Sequence, residues 1–111
     1  MDLDPVSTSS DTYRVVFENP RVRVPEYLDV PGHRTTPHRH PDSVMVTLSS
    51  FRRRLATGGR EVEVEIAAGE TRWLPAQEHT GENTGETPTH TLFIELKDPG
   101  GHPSEDVLGP A

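Results

Sequence analysis

Residues 61–66 read Glu61-Val62-Glu63-Val64-Glu65-Ile66. Polar and apolar side chains alternate there without a break. On a β-strand successive side chains point to opposite faces, so Val62, Val64 and Ile66 share one side and the glutamates the other, the pattern of a half-buried strand. The same period of two recurs on both sides of this stretch. Val22 and Val24 alternate with Arg21 and Arg23, and Leu28 and Val30 continue the valine face beyond Pro25, which marks a bend or an edge position. Val44, Val46 and Leu48 form a further apolar face, as do Leu92, Ile94 and Leu96 against Phe93, Glu95 and Lys97. Pro31-Gly32, Gly58-Gly59, Ala68-Gly69-Glu70 and Thr84-Gly85-Glu86 separate the runs as turns, with Gly58-Gly59 predicting a hairpin. No stretch carries helical spacing over a useful length. Many short strands at regular spacing predict an all-β, antiparallel sandwich or barrel.

Composition frames this reading. A chain of 111 residues holds one domain with a thin core. Apolar residues are only 31% of the sequence, below the usual globular share. The shortfall lies largely in the ends and loops. Residues 1–12 read as a flexible N-terminal tail or an arm that orders against a partner, residues 13–97 as the domain, and residues 98–111 as an irregular C-terminal tail rich in Pro and Gly. A second account of the low apolar content is that some apolar surface is buried between subunits, which predicts a homodimer. The net charge of −7 argues against nucleic acid, whose phosphates demand a basic stripe. The one basic run, Arg52-Arg53-Arg54, reads as a solvated strand end or hairpin, the alternative being the wall of a pocket for an anionic substrate. Without cysteine there is neither a disulfide framework nor a thiolate metal site. The start, MDLDPVSTSSD, is unlike a secretory signal, and no apolar run reaches membrane-spanning length, so a cytoplasmic protein with no membrane partner is expected.

His38 and His40 stand two apart, so on a strand their imidazoles lie close together on one side. Counting on in twos reaches Asp42, Val44, Val46 and Leu48, which predicts that the two imidazoles and Val44 face the same interior. Buried imidazoles without partners are costly, and a shared metal ion is the usual way to use them together. The alternative is a His-Arg-His accident on the surface. A third histidine, His79, follows a strand and a proline turn in the segment from Gly69 to Asn83.

With that segment the chain resembles the cupin superfamily. Gly32, His38 and His40 fit its first motif, with five residues between Gly32 and His38. Gly69, Pro75, His79 and Asn83 fit its second, with five residues between Gly69 and Pro75 and three between His79 and Asn83. The resemblance covers about residues 13–97 and implies a jelly-roll barrel, the double-stranded β-helix. It also implies one divalent transition metal held by His38, His40 and His79. Two departures stand out. The glutamate of the first motif would fall at position 44 or 45, where this chain has Val44 and Met45. Gln77 replaces a motif glycine, and the spacer from there to His79 is one residue short. The ligand set is thereby reduced to three histidines, as in cysteine-dioxygenase-like and some ring-cleaving cupins, with positions left open at the metal. Imidazole ligands suit iron, zinc, nickel or copper, and by resemblance iron ranks first and zinc second.

Other residues complete the expectation. Gln77, two before His79, is a fourth weak ligand, a donor to substrate, or a polar turn residue. His90 shares parity with Leu92 and Ile94, so it points inward, as a substrate-binding or a structural histidine. Arg72 is a further candidate for orienting substrate. Asp42 after Pro41 caps a turn or turns toward the metal, while Glu78 faces solvent. Asn83 and Gly85 are turn residues, and His33 and His102 lie on the surface. Trp73 and Phe51 pack between the sheets. The implied function is a metal-dependent enzyme on a small-molecule substrate, with dioxygenase chemistry first. Lyase, isomerase or polyketide-cyclase chemistry is one alternative, and a non-catalytic metal- or metabolite-binding module is another.

Overall fold

The computed structural model describes residues 3–97, and every structural statement concerns these. After a helical turn, α1 (Pro5–Thr8), nine strands follow: β1 (Tyr13–Glu18), β2 (Val22–Asp29), β3 (His38–His40), β4 (Ser43–Thr47), β5 (Phe51–Thr57), β6 (Arg60–Ile66), β7 (Thr71–Leu74), β8 (Gln77–Asn83) and β9 (Thr89–Leu96). They form a five-stranded sheet in the order β1-β2-β9-β4-β7 and a four-stranded sheet in the order β3-β8-β5-β6. Every pairing is antiparallel. The two sheets enclose one interior, as the alternation predicts, in the jelly-roll form that the resemblance implies.

The hairpin at Gly58-Gly59 forms with Thr57 paired to Arg60, and both glycines take positive φ, 54° and 79°. Two consecutive left-handed residues make the tight turn whose twist matches a hairpin, which is why glycine stands at both positions. The strand quoted above is β6, an edge strand. Ile66 is buried at one end, Val64 is half-buried, and Val62 is exposed at the other.

Two strands turn the face opposite to the one expected. On β4 the buried residues are Ser43, Met45 and Thr47, while Val44 and Val46 are only half-buried and Leu48 is exposed. On β9 they are Thr89, Thr91, Phe93 and Glu95, leaving His90, Leu92 and Ile94 on the other side. The phase inherited from His40 is lost because β3 and β4 belong to different sheets. Pro41-Asp42 carries the chain from one to the other, and the Asp42 carboxylate accepts a hydrogen bond from the Ala76 amide at 2.8 Å at that corner. Val44 therefore does not share the interior with His38 and His40.

The core follows from these phases. Tyr13, Tyr27, Met45, Phe51, Ile66 and Phe93 form its buried apolar cluster. The outer face of the five-stranded sheet is apolar as well. Phe17 pairs with Val24, Ile94 with Val44, and Val44 with Trp73. Val24 lies beside Ile94, between the paired Arg23–Glu95 and Glu26–Leu92 positions. One apolar row thus crosses all five strands. Trp73, expected between the sheets, is 54% exposed at its end.

Residues 3–12, expected as a flexible tail, are tied to the barrel. Asp4 caps α1 through the Val6 amide and meets the Arg23 guanidinium at 2.7 and 2.8 Å. The Arg39 amide donates to the Leu3 carbonyl at 2.8 Å, and Val6 packs on the core cluster. The expected C-terminal tail, with His102, lies outside the described residues. No helix among the described residues is long and apolar enough to cross a membrane.

Candidate metal centre

β3 and β8 are short, adjacent and antiparallel, with His38 opposite His79 and His40 opposite Gln77. The period of two sends His38 and His40 inward together, and pairing across the ladder brings His79 beside them. Ring centroids lie 4.7 Å apart for His38 and His40, 4.8 Å for His38 and His79, and 5.0 Å for His40 and His79. One nitrogen from each ring lies within 4.8 Å of the other two. Two nitrogens bound to one ion at about 2.1 Å stand at most ~4.2 Å apart, so small ring rotations would close the set around a single ion.

Their hydrogen bonds set the tautomers. His38 Nδ1 lies 2.8 Å from the Thr36 carbonyl, which can only accept, so Nδ1 carries the proton and Nε2 the lone pair. Gln77 does the same for His79. Its Nε2 donates to the Pro75 carbonyl at 3.0 Å, which turns its Oε1 toward His79 Nδ1 at 2.9 Å. Such outer contacts fix ring orientation for metal ligands. Gln77 thus orients His79. His40 is 2% exposed, stacks on Phe93 with ring centroids 5.2 Å apart, and its buried Nδ1 has no hydrogen-bond partner among the described residues.

Burial holds all three imidazoles below the ordinary histidine value. His40 is lowered to about 3, with repulsion from His38 and His79 adding to the effect of burial. His79 is lowered to about 4, by burial first and then by His38 and Arg53. His38 is lowered in the same direction by burial, against the Thr36 hydrogen bond. Three neutral imidazoles with lone pairs available at neutral pH are what a borderline divalent ion requires. The donor set fits a metal, and the cluster is compatible with one ion.

The cluster opens into a cavity of about 150 Å³. Its walls are mainly apolar, with Met45, Phe51, Val64, Ile66 and Phe93 among them. Arg72 and Gln77 reach this wall, as the sequence suggested. His90 does not: it lies on the outer side of β9, 2.8 Å from a Glu26 carboxylate oxygen. Asp42 is the turn cap already described. Asn83 is buried, donating to Asp29 at 3.0 Å and to the Thr87 carbonyl at 2.9 Å, so it braces the turn and is no ligand.

For Arg53 the structure departs from the leading reading of the Arg52-Arg53-Arg54 run as a solvated strand end and agrees with its alternative, a pocket wall: Arg53 is 8% exposed and lines the cavity. A signal was available, because Arg53 shares parity on β5 with Phe51 and Leu55, which also line the cavity.

No family model matches the chain, and no curated protein matches it. Solved structures do. A cupin domain from Bordetella pertussis Tohama I is 31% identical, with a TM-score of 0.73, over 78% of this chain and 92% of that one. The chain belongs to the cupin superfamily. A double-stranded β-helix protein from Klebsiella pneumoniae is 22% identical, with a TM-score of 0.62, over 80% of this chain and 78% of that one. A cupin family protein with a double-stranded β-helix fold from Methanocaldococcus jannaschii shares the fold at 8% identity and a TM-score of 0.61, over 76% of this chain and 77% of that one. Within this cupin, the motif's missing glutamate corresponds in direction to Met45, which points into the cavity that Val44 faces away from.

Proposed function

We propose that this cupin is a metal-dependent enzyme acting on a small organic molecule, with dioxygenase chemistry its leading activity. His38, His40 and His79 would hold one divalent transition metal, iron first and zinc second. The carrying observation is the cluster of three neutral imidazoles opening into an apolar cavity. A metal bound there supplies a Lewis acid, or with iron a platform for O₂, at positions the protein leaves open. The chain's own part is to hold the ring orientations through Thr36 and Gln77, exclude water with apolar walls, and confine the substrate.

Oxidative chemistry is favoured over lyase, isomerase or cyclase chemistry by what the wall lacks. Among the described residues no carboxylate lines the cavity. The phenols of Tyr13 and Tyr27 are pushed above their ordinary value by burial, so neither serves as a base near neutral pH. Elemental analysis should find one transition metal per chain. Aerobic incubation with small carboxylic acids should then consume O₂, and product formed equally well without O₂ would overturn the dioxygenase reading. Metal bound with no turnover of any kind would leave the non-catalytic module.

A second copy of the chain is the proposed cover for the outer face of the five-stranded sheet. On this face Phe17 and Trp73 are each 54% exposed, so a partner covering them would remove further apolar surface from water. The row from Phe17 to Trp73 carries no charge, which suits a self-complementary face in a chain of net charge −7.

A further inference from the structure

Two tyrosines stand opposite each other on β1 and β2 inside the barrel, Tyr13 beside Tyr27, with ring centroids 4.6 Å apart. Their hydroxyls are treated differently. That of Tyr27 donates to Asp29. That of Tyr13 makes none of the hydrogen bonds seen among the described residues, although the residue is only 5% exposed. Thr91 Oγ1, in the same cross-strand row, is unpartnered as well but fully covered. The Tyr13 oxygen keeps accessible surface, and the cavity is what Tyr13 lines. Its ring centroid lies 6.0 Å from that of His38 and 6.2 Å from that of His40, so the phenol stands beside the histidine cluster. A buried hydroxyl without a partner costs stability that a phenylalanine of the same shape would not. The other polar side chains of the wall have partners. Arg53 holds Asp29 and Thr89 Oγ1 through Nη1, and its remaining edge packs on β8 at Gly81. Arg72 turns to Glu70 on the exposed side, and Gln77 bridges the Pro75 carbonyl and His79.

We propose that the Tyr13 hydroxyl determines substrate specificity in the metal cavity, binding a hydroxyl or carbonyl oxygen carried on a compact apolar body. The inference rests on the metal cavity being the substrate site. Burial raises the phenol above its ordinary value, so it stays protonated and can donate, while its lone pairs can accept. Inside apolar walls such a contact rejects an analogue that lacks the oxygen, because the Tyr13 hydroxyl is then left unpaired. The cavity of about 150 Å³ sets the size. A void of that volume accepts a benzene-sized body.

Phenol and toluene, near-isosteres that differ by a hydroxyl in place of a methyl group, are the probes. Both are titrated against the full-length protein as isolated and again after chelation, with affinities read by ligand-observed NMR. In both states the ratio of phenol to toluene affinity should fall about fivefold in Tyr13→Phe, the effect of one neutral hydrogen bond. Thr91→Val, which removes the covered hydroxyl of the same row, should leave the ratio where it is. Tyr13→Phe takes away no contact of the folded chain, so its melting temperature should equal or exceed that of the parent. An unchanged ratio in Tyr13→Phe overturns the proposal. So does a ratio that falls equally with Thr91→Val, a fall seen only when metal is present, a lowered melting temperature in Tyr13→Phe, or failure of both probes to bind. Should the isolated protein hold no metal, the enzyme reading fails on elemental analysis, while the probe ratio still decides the role of Tyr13.

Discussion

Met45 and Phe93 face each other across β4 and β9 on the inner side of the barrel, and this pairing puts Val44 on the outside. Met45→Glu should therefore place a carboxylate in the cavity wall, where the superfamily's motif has its glutamate. Buried without metal, that carboxyl costs on the order of 3 kcal/mol of stability. A bound divalent ion should recover much of this loss and be retained more tightly than by the parent. Thermal melts with and without metal, alongside elemental analysis, check it. An identical loss in both states would show that position 45 does not reach the ion.

Val44→Glu should do something different. It sets a charge in the middle of the apolar row between Ile94 and Trp73. Sedimentation at micromolar concentration should show the parent as a dimer and the variant shifted to monomer, with metal content unchanged. A parent that sediments as a monomer would remove the proposed interface.

Gln77 holds the proton of His79 on Nδ1 through a 2.9 Å contact. Gln77→Leu removes that acceptor while keeping the volume. Losing such an outer partner costs roughly 10- to 100-fold in metal affinity. His38→Ala combined with His40→Ala should remove metal binding altogether. Competition with a chromogenic chelator measures both, and an unchanged affinity in the double variant would mean the metal lies elsewhere.

Acid should act through the same imidazoles. In the metal-free protein His40 is held at about 3 and His79 at about 4, against 6.5 for an unburied histidine. The folded form thus stays neutral where the unfolded chain takes up protons. Stability is complete above pH 6.5 and falls as the pH drops through that value toward 4. Each buried imidazole contributes a slope of about 1.4 kcal/mol per pH unit. The melting temperature of metal-free protein should fall steeply across that window, and His40→Leu should flatten the fall. A melting temperature that stays level there would contradict the buried, neutral placement of the cluster.

The amino-acid sequence by itself determined the strands around 22–30, 44–48, 61–66 and 92–96, the Gly58-Gly59 hairpin and the shared side of His38 and His40, from a period of two and from a turn only glycine makes easily. That His79 joins them was implied by the resemblance to cupins, and the structure brings the three together. Only the tertiary structure decided which side of β4 and β9 faces inward. Hydropathy is a poor guide there because both faces of the sheet are partly apolar. Ser43, Thr47, Thr89, Thr91 and Glu95 are buried beside Met45 and Phe93, while Val44, Val46, Leu92 and Ile94 lie on the other side. The deciding event is the corner at Pro41-Asp42, where the chain changes sheets and the histidine phase ends. Arg53 shows the same limit. A charge reads as solvated until its partner is known, and Asp29, 24 residues away, becomes that partner only when β2 and β5 close over one interior.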